Sequence, residues 1–171
     1  SRVLLRNSTL AFTTITGASG APTTYTGTDG VDSITLVNPG ATDLSALGSA
    51  DNIFISLTAA TTTASNITAR GGAGDDVFGY SQANLGTSLI SSFFNGNKGD
   101  DTFTALTLIT STISGGQGND TIAVGTGTNA LTNGNNGNDA LTVNAASVIS
   151  TSSIFGGQGN DTIVLAAGAT I

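Results

Sequence analysis

Short runs of alternating apolar and polar residues recur along the chain, and each follows an aspartate. Asp32, Asp51, Asp76, Asp101, Asp120, Asp139 and Asp161 are followed two and four places later by Ile34 and Leu36, Ile53 and Ile55, Phe78 and Tyr80, Phe103 and Ala105, Ile122 and Val124, Leu141 and Val143, and Ile163 and Leu165. A period of two predicts a strand with one buried face. A second apolar mark precedes the loops at Tyr25, Leu44, Phe94, Ile113 and Ile154, displaced slightly at Ile67 and Leu131. It predicts a second strand in each unit.

The aspartates are 19, 25, 25, 19, 19 and 22 residues apart. A lone pair of strands cannot bury its apolar face in water, so units of this length have to stack. The expected fold is all-β: a parallel β-solenoid (β-roll or β-helix) of about seven stacked coils, right-handed by the rule for parallel crossovers. Residues 27–171 form the solenoid, and residues 1–26 contribute an N-terminal strand segment continuous with it. Length variation falls in the turn after the post-aspartate strand, which leaves one edge fixed and the other loose.

The fixed edge carries a motif, GxxGxD. It reads GTDGVD (27–32), GGAGDD (71–76), GNKGDD (96–101), GGQGND (115–120), GNNGND (134–139) and GGQGND (156–161), with a degenerate copy ALGSAD at 46–51. Glycines at the first and fourth places permit positive φ and close backbone approach, so carbonyl oxygens can turn toward one point while the aspartate adds a carboxylate. Stacking sets one loop above the next, and a cation between them reaches the six to eight hard oxygens that calcium prefers. The candidate metal-binding residues are Gly27, Gly30, Asp32, Gly71, Gly72, Gly74, Asp76, Gly96, Gly99, Asp101, Gly115, Gly116, Gly118, Asp120, Gly134, Gly137, Asp139, Gly156, Gly157, Gly159 and Asp161. The sixth place is Asp in all seven copies, while the fifth varies among Val, Ala, Asp and Asn. A tight corner alone would accept Asn almost as readily.

These loops resemble the GGxGxDxUx nonapeptide of the haemolysin-type (RTX) calcium-binding repeats, with full matches in GGAGDDVFG, GGQGNDTIA and GGQGNDTIV. The resemblance implies calcium as cofactor, export of an unfolded chain and folding outside the cell. It departs from the family in recurring once per coil of 19 to 25 residues rather than every nine, so calcium is expected along one edge.

Composition narrows the chemistry further. The chain has 171 residues, with 11 Asp, no Glu, His, Cys, Met or Trp, and four basic residues, for a net charge of −7. Without imidazole or thiol there is no transition-metal ligand set, no thiol nucleophile and no imidazole base for a triad. The acidic balance disfavours nucleic acid and anionic lipid, and no apolar run is long enough to span a bilayer. About four to six calcium ions would offset the charge. Such sites fill at extracellular calcium concentrations, so secretion or surface display is expected.

The expected function is a calcium-stabilised extracellular structural protein, a surface-layer or filament building block joined head to tail with other copies through open solenoid ends. The alternative is a calcium-dependent folding and secretion module of a larger exoprotein such as an adhesin or toxin. No enzyme is expected; a lyase-like centre would have to draw on Arg2, Arg6, Arg70 or Lys98, with Arg70 or Lys98 beside Asp75, Asp76, Asp100 and Asp101. Asp29 and Asp43 read as turn or surface polarity, Asp75 and Asp100 as outer calcium ligands at most. Tyr25, Tyr80 and Phe94 match buried rows, and Phe93 has no assigned place.

Overall fold

The computed structural model describes residues 2–4, 11–16, 23–37, 41–46, 48–56, 63–80, 88–144 and 148–168. Among them every regular element is a strand. The chain runs through β1 (Arg2–Leu4), β2 (Ala11–Thr16), β3 (Thr23–Thr26), β4 (Asp32–Val37), β5 (Thr42–Ser45), β6 (Asn52–Ser56) and β7 (Thr63–Ser65). It continues with β8 (Ile67–Ala73), β9 (Val77–Tyr80), β10 (Ser88–Ile90), β11 (Phe93–Lys98), β12 (Thr102–Ile109), β13 (Thr112–Gln117) and β14 (Thr121–Thr128). The last strands are β15 (Leu131–Asn136), β16 (Ala140–Val143), β17 (Ile149–Ser150), β18 (Ser153–Gln158) and β19 (Thr162–Leu165).

Two parallel sheets face each other. One has the order β1, β3, β5, β8, β11, β13, β15, β18, and the other β2, β4, β6, β9, β12, β14, β16, β19. Each motif loop therefore joins a strand of the first sheet to a strand of the second, and the chain is a parallel β-solenoid of stacked coils. At the opposite edge β10 pairs with β7 and β12, and β17 with β14, so the loose edge is partly stranded as well.

The alternation after each aspartate sets the core. Ile34, Ile53, Phe78, Phe103, Ile122 and Leu141 lie in register in one inward row, and all are buried. Leu36, Ile55, Val124 and Val143 are buried at the +4 place; the side chains of Tyr80 and Ala105 lie outside the described residues. Burying each such side chain contributes roughly 1.5–3 kcal/mol. Phe78 stacks on Phe103 at 4.5 Å and meets Phe94 edge-on at 6.1 Å. Across from them stand Leu44, Ala69, Phe94, Ile113, Thr132 and Ile154, with Tyr25 and Ile154 only partly covered.

The structure corrects one inward assignment. Leu131 is exposed, and Thr132, 3 % accessible, takes the row between Ile113 and Ile154. The second corner decides this. Asn66, Ser91, Thr110, Asn129 and Thr151 all turn through left-handed φ of 49–56° one coil apart, which fixes the next residue inward. That next residue is Ser92, Ser111 or Ser152 in three coils. The Ser92 N–H donates to Ser111 Oγ at 3.0 Å, and the Ser111 hydroxyl faces the Leu89 and Ile109 carbonyls. Replacing Ser111 with Ala strands the buried Ser92 N–H and should cost roughly 1–3 kcal/mol. Thermal melting is the check; an unchanged Tm would mean that the hydroxyl ladder carries no stability.

Candidate cation-binding edge

The sixth-place aspartates of the inner coils lie inside the solenoid. Asp32, Asp51, Asp76, Asp101, Asp120 and Asp139 are buried, none more than 2 % accessible. The reason is parity: each aspartate occupies the same strand face as the apolar residues two and four places on. Asp161, in the last coil, is half-buried.

Each carboxylate from Asp51 to Asp161 reaches back one coil. The Asp32 N–H donates to Asp51 Oδ1 at 2.6 Å, Asp51 N–H to Asp76 at 2.8 Å, Asp76 N–H to Asp101 at 2.8 Å, and Asp101 N–H to Asp120 at 2.9 Å. The ladder ends with Asp120 N–H to Asp139 at 2.8 Å and Asp139 N–H to Asp161 at 3.0 Å. Oδ1 is thus used throughout. Oδ2 of Asp51, Asp76, Asp101, Asp120 and Asp139 is buried with no hydrogen-bond partner. Burial pushes Asp51, Asp101 and Asp120 up to about 7 and Asp76 to about 6, against an ordinary 3.8, and raises Asp139 as well. A buried carboxylate oxygen without a partner calls for a proton or a cation.

The first glycine of each motif makes the space beside that oxygen. A Cβ on Gly71, Gly96, Gly115 or Gly134 would overlap Oδ2 of Asp76, Asp101, Asp120 or Asp139. The same point lies 2.8, 2.5, 2.7 and 2.5 Å from the carbonyl oxygen of the next coil's first glycine, Gly96, Gly115, Gly134 and Gly156. Carboxylate and carbonyl oxygens from consecutive coils therefore converge. Of the two reasons the sequence offered, positive φ and close approach, these first glycines serve close approach. Left-handed backbone falls instead at the second place (Gly72, Asn97, Gly116, Asn135, Gly157) and the fourth (Ser49, Gly74, Gly99, Gly118, Gly137, Gly159). Asn tolerates that region, which is why Asn97 and Asn135 can stand where other copies have glycine.

Three corners differ. At the first, Thr28 donates its N–H to Asp32 Oδ2 at 2.7 Å and its hydroxyl to Oδ1 at 3.2 Å, so the carboxylate of Asp32 is satisfied within its own loop; Gly30 lies outside the left-handed region. At the degenerate copy, Ala46 holds the first place with its methyl, yet Asp51 keeps both ladder bonds. Strands β3 and β5 stop before the first place, whereas β8, β11, β13, β15 and β18 run on to the third. At the last, Gly156 and Asp161 have no following coil among the described residues.

A second ladder, not foreseen from the sequence, runs along the exposed fifth place in the opposite sense. Here the side chain reaches forward: Asp75 Oδ1 accepts from Asp100 N–H at 2.8 Å, Asp100 from Asn119 at 2.6 Å, Asn119 from Asn138 at 2.9 Å, and Asn138 from Asn160 at 2.8 Å. Asp75 and Asp100 are therefore engaged by backbone. Among the described side chains Arg70 pairs with Asp43 at 2.8 Å, and Lys98 is exposed in a row with Ala73 and Gln117. Arg6 lies outside the described residues, as does the side chain of Arg2. Phe93 is half-buried on the outer face beside Thr68 and Thr112.

Among the described residues no three acidic side chains gather closely enough to hold a metal alone. An ion on this edge would draw on one carboxylate per coil with backbone carbonyls, a hard-oxygen set that fits calcium. No protein-family model, curated protein or solved structure matches this chain.

Proposed function

We propose that the chain is a calcium-stabilised structural scaffold of the extracellular space, its coils locked together by ions along the GxxGxD edge in the manner of haemolysin-type repeats. The observation that carries this reading is the row of buried, partnerless Oδ2 atoms, four of which border a first glycine together with a carbonyl oxygen of the following coil. Four cradles meet that description: Gly71 with Asp76, Gly96 with Asp101, Gly115 with Asp120, and Gly134 with Asp139. Asp32 is satisfied by Thr28, and Asp51 has an alanine, Ala46, where the four cradles have their first glycine. Bound calcium supplies positive charge that neutralises the buried carboxylates, and the residues hold it in place while Oδ1 goes on bonding backbone. Oxygen-rich sites of extracellular modules commonly fill at roughly 0.1–1 mM calcium, which points to secretion or surface display.

Asp120→Asn tests the reading. Asn retains an Oδ1 acceptor for the ladder but removes the charge. In chelator the variant should stay folded to a higher pH than the parent, because one fewer carboxylate must keep its proton. In saturating calcium it should bind one ion fewer by calorimetry and melt roughly 5 °C lower. If the aspartates are merely corners, calcium stoichiometry will not change, and that outcome would sink the proposal.

A further inference from the structure

The outer face of the first sheet carries a concavity of about 340 Å³. Asn95, Asn97, Ser114, Gln117 and Asn135 line it around Gly116, and Lys98 is the one charged residue of the lining. The strands beneath it, β11, β13 and β15, are each paired on both sides, so the concavity belongs to the body of the solenoid. Its shape comes from the second place of the motif, where Gly72, Asn97, Gly116, Asn135 and Gly157 stand in register. Amide side chains on alternate coils are two strand spacings apart, about 9.6 Å, with no side chain between them. Gly116 keeps that gap open, because a Cβ there would lie 2.4 Å from the Asn97 carbonyl oxygen. The Asn97 N–H donates to Asn95 Oδ1 at 3.0 Å and Asn135 Nδ2 donates to Ser114 Oγ at 2.6 Å, which orients two of the amides. Among the described residues the side chains of Asn97, Gln117 and Lys98 have no hydrogen-bond partner.

We propose that this concavity binds a single pyranose ring of an uncharged polysaccharide. The lining selects that chemistry. Apart from Lys98 and Gly116 it consists of amides and a hydroxyl, which both donate and accept, as the hydroxyls around a sugar ring do. Among the described residues it holds no carboxylate for a cation and no apolar side chain for a hydrophobic ligand. One ammonium on a chain of net charge −7 is too little for a polyanion. An extended peptide gains no ladder here, since both edges of every strand below are already paired. The size fits as well, because about 340 Å³ is near the lower end of ligand sites, roughly 300–1,000 Å³. Phe93, two residues before Asn95 and so on the same outward face, is half-buried and sets an aromatic surface beside the polar floor for the C–H face of the ring. Such a site fastens the solenoid sideways to a polysaccharide. It does not depend on the ion reading, since no cradle residue lines it.

Native electrophoresis of the full chain in millimolar calcium tests it, in gels cast with dextran, mannan or galactomannan and with heparin as the charged comparison. At least one neutral polymer should retard the chain, and an excess of its free methyl glycoside should restore mobility. Asn97→Gly combined with Asn135→Gly installs the residue found at Gly72, Gly116 and Gly157, which keeps the left-handed backbone and removes both walls. It should raise the dissociation constant about tenfold or more, with an unchanged circular dichroism spectrum. Should the paired substitution unfold the chain, Gln117→Ala decides; it removes an exposed amide without a protein partner and should weaken binding about fivefold. No retardation by any neutral polymer would overturn the proposal. So would equal retardation of parent and variant, stronger retardation by heparin, or retention that the free glycoside does not relieve.

Discussion

Stripped of calcium, the chain should unfold at about pH 8 and refold on acidification to about pH 5, the reverse of ordinary acid denaturation. Asp51, Asp101 and Asp120 are raised to about 7 and Asp76 to about 6 by burial, from 3.8 in the open chain. Between these limits the folded state binds more protons than the unfolded one. The stability of the metal-free fold is therefore highest near the lower limit and falls as pH rises through the upper. Holding four such carboxylates ionised costs on the order of 10 kcal/mol at neutral pH, comparable with the roughly 5–15 kcal/mol that stabilises a whole domain. Millimolar calcium at about pH 8 should restore the fold without the protons. Circular dichroism and sedimentation against pH, in chelator and in calcium, check this. A chelated chain as compact at pH 8 as at pH 5 would contradict it.

Gly115→Ala should be severely damaging for a single added methyl. The added carbon would overlap Asp120 Oδ2 and lie 2.7 Å from both the Asp120 carboxyl carbon and the Gly134 carbonyl oxygen. Neither can retreat, because Asp120 is bonded to the coil before and Gly134 belongs to a paired strand. We expect a loss of more than about 3 kcal/mol by calcium-saturated melting, on the scale of overpacking combined with a broken network, and one calcium fewer by calorimetry. Full stoichiometry in the variant would show that the ion does not use this cradle. Gln117→Ala, in the same loop but at its exposed third place, is the neutral comparison and should change little.

The fold was legible because its two main signals are strictly periodic. Asp32, Ile34 and Leu36 repeat as a set, and that set defines strand, face and coil spacing together. The same alternation already implied that the aspartates point inward, since residues two apart share a face. The second corner was harder to see. Its signature, a residue tolerant of left-handed φ followed by Ser, lies nine residues before the aspartate at Ser92, Ser111 and Ser152, but Ile67 and Ala130 replace the serine elsewhere. Leu131 misled for a related reason: an apolar side chain beside a threonine invites burial, yet the turn at Asn129 had already assigned the inward place to Thr132. The fifth-place ladder has no hydrophobic trace at all, and only the mixture of Asp and Asn hints at it.

The two ladders that run in opposite senses along the loops also bear on how the chain folds. A sixth-place N–H is satisfied only when the next coil arrives, and a fifth-place N–H only when the previous one is present. No corner is complete by itself, so the smallest productive nucleus is two neighbouring coils. Every contact that closes it spans one coil, 19 to 25 residues, however many coils the solenoid contains. Contact order consequently stays low as such a chain lengthens, and growth coil by coil avoids the slow search that long-range pairing imposes on most β-proteins.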